Sequence, residues 1–453
     1  MNKFFITGLL LFLLTPFYAN AQTATELTIE DAIDLALTNN FQLRQAENNL
    51  DLAETRIWSA RADFLPSLNA QFSGTRQAGL DFIPEDLAFE DRVTYAVSGN
   101  ISTNIPIFTG FRNIANLRST EASKLSQEER LQRLRENIIF ETASRYLQVV
   151  LNEQLLDIAE VTLEASMSQL EQVSAQVEVG ARPTVDLFNQ EATVASDELE
   201  IVQRQNALDV SIAQLLRIMQ DESITDVITV LPEAEDLSLV PIDLNLQELI
   251  QTALESRSDY RAQEYEIESN INEIRIQRSN MLPSLSASAS LSSRYSDQLT
   301  DPLTGRSVDF SDQFFDRSVT RTAGFTLQIP IFNRWNNRTS MQSAQIQLKN
   351  SRLELDNIRF QVSEEVRQAY NDYQSIVKQL ESTEKALRAA ERAYETELQR
   401  YEIGATTLIE LNQANANFVQ AQSNRIQTIY NFVFQEKILD YYLGRVTADI
   451  QIN

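Results

Sequence analysis

The side chains that most often perform chemistry in proteins are missing from this sequence. Its 453 residues include no cysteine and no histidine, which excludes Cys–His dyads, thiolate redox chemistry, disulfides and the two commonest transition-metal ligands. The 64 Asp and Glu residues form pairs at helical spacing with no adjacent base or metal ligand, so they are interpreted as solvated helix faces. The sequence therefore predicts no enzyme activity, no catalytic residue, no cofactor and no metal.

Charge and the first residues limit the partners and the location of the chain. The net charge of −26 excludes nucleic acid as a partner, because its binding requires a basic surface. Lys3, the apolar run Phe4–Leu14 and the small residues of Ala19-Asn20-Ala21 predict a cleaved signal peptide over residues 1–21. A retained N-terminal anchor is the alternative. No later stretch has the length of an apolar transmembrane helix, but an exported chain can still enter a membrane as a β-barrel.

The chain consists of two copies of one unit. Three short motifs recur in the same order: Leu65–Leu68 as Leu282–Leu285, Ile105–Phe108 as Ile329–Phe332, and Gly180-Ala181 as Gly404-Ala405. The second and third motifs recur at one and the same interval, which is slightly longer than that of the first. These shifts predict a first structural repeat over residues 22–243 and a second over 244–453. Each repeat is expected to hold a strand pair (about 67–108 and 284–332), a long helix and a turn (180–185 and 404–409).

The elements between the motifs are predicted to be helices of unusual length. Phe111–Val177 contains neither Pro nor Gly, and a segment of this length predicts a continuous helix of roughly 100 Å. Helical patterns of about half that length cover 186–220, 246–280, 30–64 and 410–444. Two such helices stacked end to end match one long helix, so we expect 186–220 to continue into 246–280, and 410–444 to stack on 30–64. The linker Asp221–Asn245 is expected to form a belt at mid-height.

The strand regions alternate between apolar and polar residues. Between Val93 and Ile107 the odd positions other than Thr103 are apolar or small, and the even positions 94, 98, 100, 102 and 104 are polar. Residues 319–331 repeat this pattern. Such alternation is typical of a membrane barrel strand, with apolar residues toward lipid and polar residues toward water, although a half-buried strand of a soluble sheet is the alternative. Arg321 breaks the pattern on the apolar side, so it is expected at a membrane interface, where a charge costs about 0–1 kcal/mol.

Four strands are too few to close a membrane barrel, because the smallest single-chain barrels have about 8. An open strand edge cannot face lipid. The subunit is therefore predicted to share its barrel with copies of itself. The fold class that follows is mainly α with a membrane β-barrel, in which long antiparallel helices form a tunnel and each subunit contributes four strands.

At this point the sequence resembles the TolC-like outer membrane factors, over essentially the whole mature chain. The resemblance rests on the two Leu-Pro-Ser-Leu corners, the two Ile-Pro-Ile-Phe strand exits and the two glycine turns. The corner prolines are Pro66, Pro106, Pro283 and Pro330, and the periplasmic turns are at Gly180 and Gly404. The resemblance implies a homotrimer with a 12-stranded barrel in outer membrane lipid, whose tunnel docks to a periplasmic adaptor (membrane fusion) protein and an inner-membrane transporter.

The resemblance also implies a gate at the tunnel entrance. Glu410, six residues after the second turn glycine, corresponds to an acid that lines the closed entrance in the family. A further acid is common three residues later, but this chain has Gln413, which departs from a double acidic ring.

A latch at the same place is implied between Tyr401 and Asp186. An Arg that often joins such a latch is replaced here by Thr406, while Arg182 holds the equivalent place in the first repeat. The alternative is that these are ordinary cap and surface residues of helical turns.

Two functions are compatible with the sequence. The first is an outer-membrane channel of a tripartite efflux pump or type I secretion system, a passive conduit for small molecules or proteins from the periplasm of a Gram-negative bacterium to the outside. The second is a structural or adhesive coiled-coil protein of the envelope without a pore. Conductance in planar bilayers distinguishes them, because an adhesin forms no discrete channels.

Overall fold

The structure, a computed structural model, describes residues 25–83, 88–221, 227–230, 239–301 and 306–446. The predicted signal peptide lies outside these residues. In chain order the elements are β1 (Thr25–Leu27), α1 (Ile29–Asn39), α2 (Phe41–Ala62), β2 (Ser67–Ile83), β3 (Ala88–Phe108), α3 (Arg112–Glu178), α4 (Thr184–Met219), β4 (Val227–Thr229), α5 (Leu246–Ser256), α6 (Ser258–Ser279), β5 (Ser284–Ser296), α7 (Phe310–Asp312), a π-helical turn (Gln313–Arg317), β6 (Thr320–Gln328), α8 (Asn336–Glu402) and α9 (Leu408–Tyr442).

Two long helices set the length of the molecule. α3 and α8 each contain 67 residues, which corresponds to roughly 100 Å. Neither contains Pro or Gly, so nothing interrupts the backbone hydrogen bonds. The helix predicted over Phe111–Val177 is confirmed to within one residue at each end. Each long helix follows a residue in the left-handed conformation, Phe111 (φ 71) and Trp335 (φ 64).

Two of the four half-length helices are broken where the sequence predicted continuity. The helix expected over 30–64 is interrupted at Asn40 (ψ 118), and the one expected over 246–280 at Arg257 (ψ 127). The Asn40 side chain accepts hydrogen bonds from the first amides of α2, which offers the backbone an alternative to the helix. The two breaks are equivalent positions of the repeats, related by the same shift that takes Leu65 to Leu282. α4 and α9 begin and end within two residues of their predicted bounds.

The predicted end-to-end stacking is wrong. α4 ends against α2, where the Phe41 amide donates to Gln220 Oε1 (2.9 Å), rather than continuing into α5 and α6. α9 ends against the α5–α6 junction, where Ser256 Oγ donates to the Leu443 carbonyl oxygen (2.5 Å). α2 and α4 thus flank one side of α3, while α6 and α9 lie between α3 and α8. The long connection after α4 makes this possible, because it carries the chain to the other side of α3.

The largest hydrophobic cluster lies at mid-height of the long helices. In the middle of α3, the buried Tyr146 hydroxyl donates to the Leu27 carbonyl oxygen (2.6 Å) and accepts from the Val230 amide (2.9 Å). These contacts hold the small parallel pair β1–β4 against the helices. From the other end of the linker, the Ile242 amide donates to the Tyr373 hydroxyl of α8 (2.8 Å). The described parts of the linker therefore lie at mid-height, where a belt was expected.

The four long strands form one antiparallel sheet in the order β2-β3-β5-β6. In one row of the register, Ala70 pairs with Ile101, Ile101 with Leu291, and Leu291 with Arg321. Directly paired residues point to the same face of a sheet. The odd residues of β3, β5 and β6 and the even residues of β2 therefore share one face, which is mainly apolar, and the opposite face consists mainly of Ser, Thr, Asn and Gln side chains.

The bounds of the strands differ from those of the alternating regions at two places. β6 ends at Gln328, so the last positions of the region 319–331 lie outside the sheet. The β2–β3 ladder continues through the segment 76–92 to the pair Ile83–Ala88, because backbone pairing extends beyond the alternating region.

The corner prolines occupy two kinds of position. Pro66 and Pro283 directly precede β2 and β5, as expected for corners. Pro106 instead lies inside β3 at an irregularity in the register, and Pro330 follows β6. Among the described residues, no helix is both long enough and apolar enough to cross a membrane.

Candidate functional site

The turns farthest from the sheet form the candidate gate, here called the tip (residues 173–190 and 397–413). Gly180 (φ 76) and Gly404 (φ 73) adopt the left-handed conformation that ends α3 and α8. The next amides, of Ala181 and Ala405, donate back into the last helical turn over 2.8 and 2.7 Å. This pattern is favoured by glycine, because a side chain would be strained at positive φ. Both turns lie where the sequence placed them.

Glu410 is the third residue of α9 and helps to cap the start of this helix, whose N-cap is Thr407. Its Oε2 accepts hydrogen bonds from the Thr406 hydroxyl (2.5 Å) and the Thr407 amide (3.1 Å), while the Glu410 amide donates to Thr407 Oγ1 (3.2 Å). This reciprocal arrangement is a capping box. The hydrogen bond from the Thr406 hydroxyl, followed by those from Thr407, lowers the pKa of Glu410 below its ordinary value. Within one chain Glu410 is therefore an ionised cap residue, the alternative that the sequence left open.

The two turns are joined by Arg182 and Tyr401. The Arg182 guanidinium lies 4.1 Å from the centre of the Tyr401 ring, and its Nη2 donates to the Tyr401 carbonyl oxygen (3.2 Å). The ring is 4% exposed, so this cation–π contact is shielded from water, where such contacts are strongest. The arginine of the first repeat, Arg182, therefore makes this contact, while the equivalent place in the second repeat is Thr406.

The predicted latch between Tyr401 and Asp186 is not a hydrogen bond in this structure. The buried Tyr401 hydroxyl has no hydrogen-bond partner among the described residues. Burial raises the pKa of Tyr401, the Arg182 charge lowers it, and the Asp186 charge raises it. The nearby Gln169 amide also lowers the pKa of Tyr401. Its Nε2 makes no hydrogen bond of acceptable geometry with the Tyr401 hydroxyl. Asp186 thus acts on Tyr401 through its charge alone.

Gln413 lies one turn beyond Glu410 on α9 and is exposed. Its amide nitrogen donates to Asn417 Oδ1 (3.1 Å) on the exposed side of α9. The structure therefore brings Arg182, Tyr401 and Asp186 together, and it leaves Glu410 and Gln413 as exposed residues on the first turns of α9.

A buried charge cluster at the α5–α6 break was missed by sequence reasoning. The Arg257 side chain, 4% exposed, pairs with Asp259 (2.5 Å) and with Glu365 of α8 (2.5 Å). Beside it, Arg133 of α3 pairs with the buried Glu136 (3.1 Å). The cluster joins α3, α6 and α8. The only signal in the sequence is the shift between the two repeats, which aligns Arg257 with the capping residue Asn40.

The outer flanks of the subunit expose apolar side chains at helical spacing. On α8, Ile346, Leu353 and Phe360 follow one another at seven-residue intervals and are at least half exposed. On the opposite flank, Phe41 and Trp58 of α2 are both 70% exposed. A seven-residue apolar repeat is typical of a seam between packed helices. Both flanks therefore have the composition of contact surfaces.

Comparison with protein families and relatives agrees with this architecture. A family model described as outer membrane efflux protein matches residues 32–219 and 249–445. The solvent efflux pump outer membrane protein SrpC of Pseudomonas putida is 24% identical over 321 residues, which cover 70% of this chain and 63% of SrpC. The match thus spans less than two thirds of that relative. The outer membrane efflux protein BepC of Brucella suis biovar 1 is 22% identical over 428 residues, covering 94% of this chain and 88% of BepC.

Solved structures share the fold. A crystal structure of CusC superposes with a TM-score of 0.78 at 21% identity, covering 95% of both chains. The Campylobacter jejuni CmeC outer membrane channel superposes with a TM-score of 0.77 at 17% identity, covering 94% of this chain and 87% of that one. At these identities the likeness establishes the arrangement of helices and strands.

Proposed function

Because the chain belongs to the outer membrane efflux protein family, we propose that it forms the outer-membrane channel of a tripartite efflux pump or type I secretion system. The channel is a passive conduit from the periplasm to the outside. The observation that carries this proposal is the sheet: one face is apolar, the other is polar, and the sheet stands at one end of a helical body of roughly 100 Å. An apolar outer face and a polar inner face suit a water-filled barrel in lipid.

The channel is proposed to be a homotrimer. Within the described residues, β2 and β6 each have one unpaired edge, and an unpaired edge cannot face lipid. Three copies supply twelve strands, which close a barrel when β6 of one copy pairs with β2 of the next. The exposed apolar residues on α2 and α8 lie on opposite flanks. The threefold arrangement that pairs the strand edges therefore also brings the α8 flank of one copy against the α2 flank of the next. The long helices of the two repeats, α3 and α8, have equal length, which suits a tunnel whose wall has the same height all round.

The proposed partners follow from the two ends of the molecule. The sheet contacts outer membrane lipid, and the tip points into the periplasm toward an adaptor protein and an inner-membrane transporter. With no catalytic constellation in the sequence, the energy for export is proposed to come from the transporter.

The trimer and the channel are tested together by purification and conductance. We expect a detergent-resistant trimer and no stable monomer, since folding and assembly are coupled when edges must pair. Light scattering in mild detergent measures the mass, and planar bilayers measure discrete current steps. A well-folded monomer contradicts the trimer. A stable trimer without discrete channels favours the structural or adhesive alternative.

The two faces of β3 are expected to differ in their access to water. Val97 points to the apolar face and its neighbour Ser98 to the polar face, where Ser98 Oγ lies 2.8 Å from Ser73 Oγ. Cysteines placed at these positions should react at rates that differ by about tenfold or more with a water-soluble, membrane-impermeant thiol reagent, because lipid excludes the reagent. The natural chain has no cysteine, so the background is clean. Equal reactivity at both positions contradicts the barrel.

Glu410 is expected to make the entrance attractive to cations. In a trimer three ionised copies near the axis focus negative potential, which binds multivalent cations most strongly. Glu410→Ala should therefore weaken block by a trivalent cation, whereas Gln413→Ala, a neutral change one turn away, should not. Single-channel current is compared with and without the cation. If wild type and Glu410→Ala are blocked equally, Glu410 serves only as the cap of α9.

A further inference from the structure

A charge interrupts the part of the apolar face that lies nearer the helices. In the rows between Val97 and Ile107, Arg321 is the sole charged side chain on that face, and every residue of these rows is described. It stands at the end of β6 farthest from the helices. If the sheet spans the membrane as proposed above, this end lies in the outer leaflet.

Arg321 lies between two depressions in this face. The inner one, of about 490 Å³, is mainly apolar and is lined by Leu68, Ile101, Ala289, Leu291 and Ala323, together with Thr103, Ser290 and Thr322. Its two alanines leave a shallow apolar channel beside the strand. The outer one, of about 350 Å³, is lined by aromatic rings of Phe72, Phe314 and Phe315. Arg321 borders both depressions.

The aromatic part of this surface is built by the segment before β6. A Cβ atom at Gly99 would lie 2.9 Å from the rings of both Phe72 and Phe314, so glycine is what allows the rings to close over the strand. Ser293 Oγ donates to the Phe314 carbonyl oxygen. Arg317 pairs with Asp301 (3.2 Å) and with Asp312, which ties the segment down and occupies both carboxylates.

Arg321 has no counter-ion in the described part of the chain. Its guanidinium makes no hydrogen bond or ion pair with any residue that the structure describes, and it is exposed. A neighbouring copy of β2 that closes the barrel presents its even residues on the same face. From Leu68 to Leu80 these are apolar or glycine, apart from Arg76. Between Leu68 and Leu80 the neighbouring strand therefore brings no carboxylate to this face, and a membrane phosphate is the counter-ion that fits this location.

We propose that this surface binds a phosphorylated glycolipid of the outer leaflet, of lipid A chemistry. Arg321 pairs with a phosphate, acyl chains occupy the inner depression, and the sugar rings lie against Phe314 and Phe315. An acyl chain matches the alanine-lined channel in polarity, and a phosphate accepts the planar guanidinium through two hydrogen bonds. The proposal rests on the outer-membrane location proposed above.

The test measures lipid A bound to the purified full-length trimer in detergent, by native mass spectrometry. Arg321→Gln should weaken binding of bis-phosphorylated lipid A by about tenfold, the size expected for the loss of a charge-assisted contact. Ala323→Leu, which fills the inner depression and keeps the charge, should weaken it as well. The matched control is Arg294→Gln, because Arg294 is in the neighbouring strand but on the polar face, opposite Ser98. This variant should bind lipid A like the wild type.

Dephosphorylated lipid A provides the second arm, and it should bind wild type about tenfold more weakly than the phosphorylated form. Equal binding of the two lipids, equal binding by wild type and Arg321→Gln, or an equal loss in Arg294→Gln overturns the proposal. Conductance of Arg321→Gln is measured in parallel and should be unchanged. Discrete channels with unaltered lipid binding would refute only the lipid site, whereas a wild type without channels would refute the proposed function.

Discussion

Replacing Arg257 with methionine is expected to destabilise the folded protein by about 3–5 kcal/mol, the cost of breaking a buried ion pair from one side. The Arg257 side chain is 4% exposed and contacts Asp259 and Glu365, each over 2.5 Å. Methionine fills a similar volume but leaves the partly buried Asp259 carboxylate with only the more distant Arg133 (3.8 Å) as a cation. The loss is large because the same residue forms the α5–α6 break against which α9 ends.

The matched control is Arg388→Met on the exposed side of α8. Arg388 pairs with Glu384 one turn away, but its side chain is 70% exposed, so its removal should cost less than about 0.5 kcal/mol. Urea denaturation of the detergent-solubilised protein, at one protein concentration, measures the free energy of unfolding for each variant. Equal losses in the two variants would show that the Arg257 cluster contributes no more than a surface pair.

The effect of Arg257→Met should depend on pH. Burial raises the pKa of Asp259, but the hydrogen bond and charge of Arg257, with Arg133, outweigh it and hold the pKa below its ordinary value. An acid with a lowered pKa contributes stability above its unfolded pKa, about 3.9, and loses it as the pH falls. Without Arg257 the largest influence that lowers the pKa of Asp259 is lost, so this pKa rises relative to wild type and acid destabilises the variant less than wild type. The difference in the free energy of unfolding between wild type and variant should therefore narrow from pH 7 toward pH 4. A gap that stays constant over this range contradicts the role of Asp259.

Arg182→Ala is expected to open the tip and to raise the single-channel conductance at rest. The Arg182 guanidinium joins the α3–α4 turn to the end of α8. It contacts both the ring and the carbonyl oxygen of Tyr401. A shielded cation–π contact and a hydrogen bond together contribute about 2 kcal/mol per subunit. A shift of that size changes the ratio of closed to open states by about thirtyfold.

Tyr401→Phe is the control, and the structure reverses the expectation drawn from the sequence. A latch through the hydroxyl predicted that this change loosens the closed state. Because the hydroxyl has no hydrogen-bond partner among the described residues and phenylalanine keeps the ring under Arg182, conductance should now change little. Recordings at constant salt compare the three proteins. A larger increase in Tyr401→Phe than in Arg182→Ala would restore the hydroxyl latch.

Much of the architecture could be predicted because it depends on local patterns. The absence of Pro and Gly between Phe111 and Val177 sets the long helix, and Gly180 and Gly404 end such helices because only glycine enters the left-handed conformation without strain. Period-2 alternation around Val97 and Ser98 likewise assigns the faces of β3 before any partner strand is known. These features follow from the backbone of one segment and its immediate neighbours.

The breaks at Asn40 and Arg257 were hidden because apolar periodicity continues through them, and only the capping side chain at Asn40 and the charge cluster at Arg257 stabilise the extended residue. The stacking of α4 on α2, rather than on α5 and α6, was missed because equal helix lengths allow either arrangement. Arg182 on Tyr401 joins residues 219 positions apart, and Phe314 over Gly99 joins the π-helical turn to β3. Sequence periodicity determined which elements exist and which faces are apolar, because those depend on backbone hydrogen bonds within a segment. Which of these elements touch was decided by the tertiary structure alone, since contacts between distant segments are selected by packing and charge pairing that no local pattern contains.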